Sequence, residues 1–187
     1  PVNEGDIAMS VEPELKEIRP IILGAVVKNI DLENLDIDAD DFIKSLMDHQ
    51  EKLHFALGRG RKRASIGVHD LATITPPFRV KAVSGEEQFI PLAMEEPMSI
   101  NDILRNHSKG IAYAHLLDGY DKFPVIVDAE ENILSFPPII NGNHTTVTSS
   151  TKDFFIDVTG WDYRSCEASL LLVALQLHEL GAVSYTH

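Results

Sequence analysis

Asp157 lies in FFIDVTG, an apolar run from Phe154 to Gly160 whose other members suit a buried strand. A carboxylate in such a run needs a partner, a cleft or a raised pKa. Thr159 follows two positions later, so both side chains point to the same face of a strand. Ahead of them comes LSFPPIINGNHTT, with Ser135, Pro137-Pro138, Asn141-Gly142 and His144. Ser135, His144 and Asp157 are the residue types of a hydrolytic triad. No serine sits in a GxSxG elbow, however, so hydroxyls that satisfy backbone groups are the stronger reading. His69-Asp70 and His144 are candidate metal ligands, but no HExxH, CxxC or His-x-His spacing joins them. No metal is therefore expected. The absence of a Walker loop and of GxGxxG argues against nucleotide hydrolysis and a dinucleotide cofactor. Cys166, on a helical pattern, reads as a core residue rather than a nucleophile.

A second set of residues suits anions. Arg59, Arg61, Lys62 and Arg63 fall within five positions, four of the 16 bases in a chain of 29 acids and net charge −13. Such a cluster can grip a few phosphates, while the overall charge opposes unaided binding of a large nucleic acid. The competing reading is a solvated loop or a subunit contact. No run approaches the roughly 18 apolar residues of a membrane span. No charged-then-apolar leader opens the chain, and the single cysteine fits a reducing compartment. A cytoplasmic protein is expected, with neither a membrane nor DNA as partner.

The elements that position these residues follow from pattern. Residues 1–17 are acidic and expected to be loosely held, with one domain over 18–187. Ile18 to Val27 reads as a strand, Glu33 to Asp41 as an acidic linker, and Asp41 to Leu57 as a helix stopped by Gly58. Strands follow at Ala64–Leu71 and Arg79–Val83, then a hairpin tip at Gly85-Glu86-Glu87. Ser99 caps a helix reaching Asn106, and a second helical piece spans Gly110 to Leu117. Lys122 to Val127 is a strand closed by the acidic turn Asp128–Asn132. The Pro137-Pro138 pair excludes its segment from a central strand. Asn141-Gly142 signals a turn, because both residues tolerate positive φ. Asp162 caps a last helix, Tyr163 to Leu180, with Cys166, Leu170, Val173, Ala174 and Leu177 on one face. The fold class is α+β, a mostly antiparallel or mixed sheet with helices packed against it.

The strings RKRASIGVHD, PPFR, FPVIVD, LSFPPIINGNHTTVT and FIDVTGWD carry a resemblance. In this order they resemble the central editing module of the phenylalanyl-tRNA synthetase beta subunit, archaeal and eukaryotic type. The likeness runs from about Ile18 to Leu180. It implies hydrolysis of the ester that joins tyrosine to phenylalanine tRNA, an activity of a ligase fragment without the aminoacylation site. Catalytic roles then fall to Asp157, Thr159 and Ser135. Ile126, Pro137, Pro138, Asn141, Gly142 and His144 would surround the substrate, with Gly142 offering a backbone N–H. Arg61, Lys62, Arg63 and His69 would meet the tRNA 3′ end. Editing of this kind uses no cofactor; ATP and Mg would belong to the alpha-subunit site. The implied partners are the tRNA, the alpha subunit and the rest of the beta subunit in a heterotetramer. The alternative is a non-catalytic scaffold or tRNA-docking module of the same synthetase.

Overall fold

The computed structural model describes residues 2–3, 7–30, 38–179 and 184–186. In chain order the elements are β1 (Val2–Asn3), β2 (Met9–Val11), β3 (Ile21–Lys28), α1 (Ala39–Phe55), β4 (Ala64–Asp70), β5 (Phe78–Val83), β6 (Gln88–Phe89), β7 (Met98–Ser99), α2 (Ile100–Asn106), α3 (Ser108–Tyr113), β8 (Phe123–Val127), β9 (Ile133–Phe136), β10 (Ile140–Asn141), β11 (Phe154–Gly160), α4 (Tyr163–Glu179) and β12 (Ser184–Thr186). The class is α+β with largely antiparallel sheets, as the pattern indicates. Two compact units emerge. The first holds β1, β3, α1, β4, β11, α4 and β12, and the second holds the remaining elements.

In the first unit the strand order is β1-β12-β3-β11-β4, with β11 antiparallel to both neighbours. Ile156 and Val158 of β11 share a core with Phe42 and Leu46 of α1 and with Cys166 and Val173 of α4. Each such burial stabilises by about 1.5–3 kcal/mol. Helix α1 begins before the expected Asp41, because Asp38 accepts from the N–H groups of Asp40 and Asp41 at 2.9 and 3.3 Å. Most of the acidic linker, residues 31–37, lies outside the described residues. Asp162 caps α4 by accepting from the Ser165 N–H at 2.8 Å. Cys166, Leu170, Val173, Ala174 and Leu177 are buried as their spacing predicts, whereas Leu171, Leu172 and Leu175 are exposed.

The second unit is built on a sheet of order β10-β9-β8-β5-β2. Residues 9–17, expected to be loosely held, are tied down. Strand β2 pairs parallel with β5, Glu12 accepts from the Ala82 N–H at 2.8 Å, and Leu15 is fully buried. The Gly85 turn does not return the chain onto β5; β6 pairs with β7 instead. Strand β9 has neighbours on both sides, contrary to the expectation drawn from its prolines. The prolines lie beyond its end, in a turn closed by Ile139 N–H to Phe136 O at 2.8 Å, with a cis Pro137-Pro138 bond. Pro124 of β8 is tolerated for a related reason. Strand β9 pairs only with Ile126 and Val127, so the missing N–H costs no bond on that side.

Candidate active site

Alternation along β11 sends Ile156 and Val158 into the helix-covered core, and Phe155, Asp157 and Thr159 to the opposite face. Register aligns three rows there. Thr159 lies between Ile22 and Ser65, Asp157 between Gly24 and Gly67, and Phe155 between Val26 and His69. Both cross-strand neighbours of Asp157 are therefore glycines. Its partner is His69, diagonally placed, with Nε2 and Oδ2 2.7 Å apart. His69 and Asp157 are 0 and 1% exposed. The imidazole stacks on Phe155, ring centroids 5.8 Å apart. Gly67 has a definite reason: a Cβ there would overlap Asp157 Oδ2 and stand 2.7 Å from His69 Nε2. One row further, the Ser65 and Thr159 hydroxyls are 3.1 Å apart and buried.

The carboxylate thus has a partner, the first of the three outcomes its sequence setting allowed. That partner is His69 rather than the His144 of a triad. His69 is correspondingly not on the basic surface where it was expected, because it is fully buried.

Ser135, Ile126, Pro137, Pro138, Asn141, Gly142 and His144 all belong to the second unit. Register aligns Ile126, Ser135 and Asn141 in one row across β8, β9 and β10. Ser135 is buried and its hydroxyl donates to Asn141 Oδ1 at 3.4 Å. Pro137 and Pro138 are buried, Gly142 is buried, and His144 is exposed. Two expectations about Asn141-Gly142 fail. Neither residue has positive φ, and Gly142 has φ −73°. The Gly142 N–H is committed to Leu134 O at 2.9 Å, so it is not offered to a substrate. What selects glycine is proximity, since a Cβ would come within 2.6 Å of Ile133 O. The segment is strapped from outside: Asn143 N–H donates to Ile90 O at 2.8 Å and Leu92 N–H to Asn141 O at 2.9 Å.

The basic loop also differs from expectation. Arg61 is buried, with Nη2 2.8 Å from Glu51 Oε1. Arg59, Lys62 and Arg63 are exposed. Arg59, Gly60 and Arg61 are consecutively left-handed, φ 46°, 63° and 68°. At the two arginines this costs about 1–2 kcal/mol each. Offsetting bonds run from Arg61 N–H to His54 O at 3.2 Å and from Arg63 N–H to Gly58 O at 2.8 Å. His54 is buried, accepts the Ile66 N–H at Nε2 over 2.8 Å, and has its pKa lowered by burial.

Ser65, Gly24 and Gly67 were not anticipated as members of the site. The available signal was two glycines inside β-rich runs, which marks close approach of another group. Pairing them with Asp157 needed the register.

The chain belongs to the B3/4 domain family, whose match covers residues 27–172. Its relatives are phenylalanine–tRNA ligase beta subunits. That of Methanothrix thermoacetophila is 49% identical over 184 residues, 96% of this chain and 32% of the relative. That of Methanosarcina barkeri is 51% identical over 175 residues, 94% of this chain and 31% of the relative. An N-terminal fragment of the phenylalanyl-tRNA synthetase beta subunit from Pyrococcus horikoshii superposes with TM-score 0.91 at 36% identity, covering 100% of this chain and 52% of that one. The chain thus spans about a third of the length of its curated relatives.

Proposed function

We propose that this chain is the proofreading part of a phenylalanine–tRNA ligase beta subunit and hydrolyses tyrosine wrongly esterified to phenylalanine tRNA. A pocket made for phenylalanine rejects tyrosine weakly, because an apolar site discriminates against an added hydroxyl by only about a hundredfold. A second site that hydrogen-bonds the phenol reverses the preference. Phenylalanine there leaves a buried polar group unpaired, a penalty of about 1–3 kcal/mol.

The observation that carries the reading is the polar face of β11, where the His69–Asp157 and Ser65–Thr159 pairs are buried on a sheet whose other face is apolar core. Buried polar groups beyond those a core needs mark a site that selects polar ligands. In this reading Asp157, held by His69 through Oδ2, receives the substrate ammonium on its other oxygen, and Thr159 holds the aminoacyl group. Water adds to the ester carbonyl, the bond to the ribose oxygen breaks, and the proton passes to that oxygen. An activated ester needs only a positioned water and a stabilised oxyanion, with no metal or covalent nucleophile.

The test is the lifetime of Tyr- and Phe-charged phenylalanine tRNA with the complete ligase that carries this chain. The tyrosine ester should disappear selectively. Equal survival of both esters would leave the docking-module reading, which the already satisfied His69–Asp157 pair also suits.

A further inference from the structure

Helix α4 carries no charged side chain from Ala168 to Leu177, a stretch in which only Ser169 and Gln176 are polar. A helix between core and water shows one apolar stripe, whereas one that is apolar all round is covered all round. Here the sequence is of the second kind and the surroundings are of the first. Cys166, Leu170, Val173, Ala174 and Leu177 are buried in the core shared with β11. Tyr163, Leu171 and Leu175 are 52, 42 and 48% exposed, and Leu172 is 39% exposed beside them. Positions 163, 167, 171 and 175 are successive steps of four, which makes them one row along the outward face. Its first turn is held by the Tyr163 hydroxyl, which donates to Glu167 Oε1 at 3.3 Å. Helix α1 borders α4 through His49, whose Nδ1 lies 2.5 Å from Gln176 Oε1, and leaves the row open.

Apolar side chains exposed singly are ordinary, but a contiguous row marks a contact. Its size sorts the possible covers. From position 163 to 175 the row runs about 18 Å along a helix about 10 Å wide, on the order of 200 Å². A stable interface between free proteins takes about 800 Å² from each partner. A second copy of this chain would also set one net charge of −13 against another. A segment of the same polypeptide meets neither limit, because a covalent link holds it at an effective concentration in the millimolar range. The curated relatives supply such a segment, since this chain matches only about a third of their length.

We propose that the face of α4 formed by Tyr163, Leu171, Leu172 and Leu175 is the seat of an apolar segment of the beta subunit that lies outside this chain. The three leucines take the apolar side chains of that segment, and the Tyr163–Glu167 pair meets its polar border. The inference rests on the beta-subunit part of the reading above and not on ester hydrolysis. A ligase that spares both esters leaves it standing, and its own failure leaves the hydrolysis to be measured.

The test uses the complete ligase that carries this chain. The photo-crosslinking residue benzoylphenylalanine replaces Leu172 or Leu175, with the exposed Ser150 as the control position. Irradiation should join positions 172 and 175, but not 150, to peptides of the beta subunit outside this chain. In a second measurement that leaves the face nearly its natural size, Leu175→Cys and Ser150→Cys are labelled with a maleimide and read by mass spectrometry. Leu175→Cys should react about tenfold more slowly in the folded ligase, the retardation of a face open about a tenth of the time. In urea the two rates should be equal. Cross-links to the alpha subunit, to a second beta subunit or to residues of this chain overturn the proposal. So do the absence of cross-links from both positions and labelling of Leu175→Cys as fast as the control.

Discussion

His69 and Asp157 meet at 2.7 Å over a glycine, on the face of the sheet turned away from the helices. The pair exists because Gly67 gives up its side chain. Gly67→Ala should therefore push the carboxylate from the imidazole. Overpacking of this kind costs about 1–3 kcal/mol. Urea unfolding should show that loss, and the His69 ring resonances should shift. An alanine variant of wild-type stability with unmoved resonances would contradict the assigned geometry.

Ser65 and Thr159 stand directly opposite one another, hydroxyls 3.1 Å apart. Thr159→Val keeps shape but removes the hydroxyl. A double-mutant cycle with Ser65→Ala should give a coupling of about 1 kcal/mol, the usual net value of such a bond. Strict additivity would mean that the two hydroxyls act separately.

His54 gives stability a dependence on pH. It faces Glu51, 3.6 Å from Nδ1, and the charge of Arg61; burial lowers its folded pKa despite the raising effect of Glu51. The unfolded imidazole titrates near 6.5, so below about that pH the unfolded chain holds the extra proton. His54 thus contributes stability that is full above about pH 6.5 and lost as pH falls through the lower folded value. His54→Gln should flatten the stability profile between pH 7 and about 5. Parallel profiles for the two proteins would refute this.

Asp128 organises the turn after β8. It accepts from the N–H groups of Glu130, Asn132 and Thr75 at 3.0, 2.9 and 3.2 Å. Burial pulls its pKa up, but these bonds outweigh it and hold the carboxyl below its ordinary value. Asp128→Ala should cost about 1.5–3 kcal/mol, the range for hydrogen bonds to a charged group. The stabilisation should be full above about pH 4 and fade as acid titrates the folded carboxyl. Unchanged stability in the variant, measured by urea unfolding at neutral pH, would count against the turn's dependence on this side chain.

Much of the architecture could be read from pattern. Helix α4 announced itself through Asp162 and the spacing from Cys166 to Leu177, and α2 through Ser99 and Asp102. What could not be read was pairing. The need of Asp157 for a partner was plain from its apolar neighbours, but the identity of that partner depends on how β4 is registered against β11. Long-range register has no local signature. Arg61 illustrates the same limit, since its neighbours in sequence are exposed cations while its own side chain is turned to Glu51 on α1. Asn141-Gly142 failed for a different reason. A dipeptide rule reports what the backbone tolerates, whereas Gly142 is required by the proximity of Ile133 O.

The most direct measurement is single-turnover hydrolysis of Tyr- and Phe-charged phenylalanine tRNA by the complete ligase and by its Asp157→Ala and Asp157→Asn variants, each first shown to be folded. The proofreading account predicts preferential loss of tyrosine in the wild type. It also predicts a fall of about a hundredfold in Asp157→Ala, of the order that loss of a substrate-positioning contact costs. Wild-type rates in both variants, or equal hydrolysis of the two esters, would contradict it.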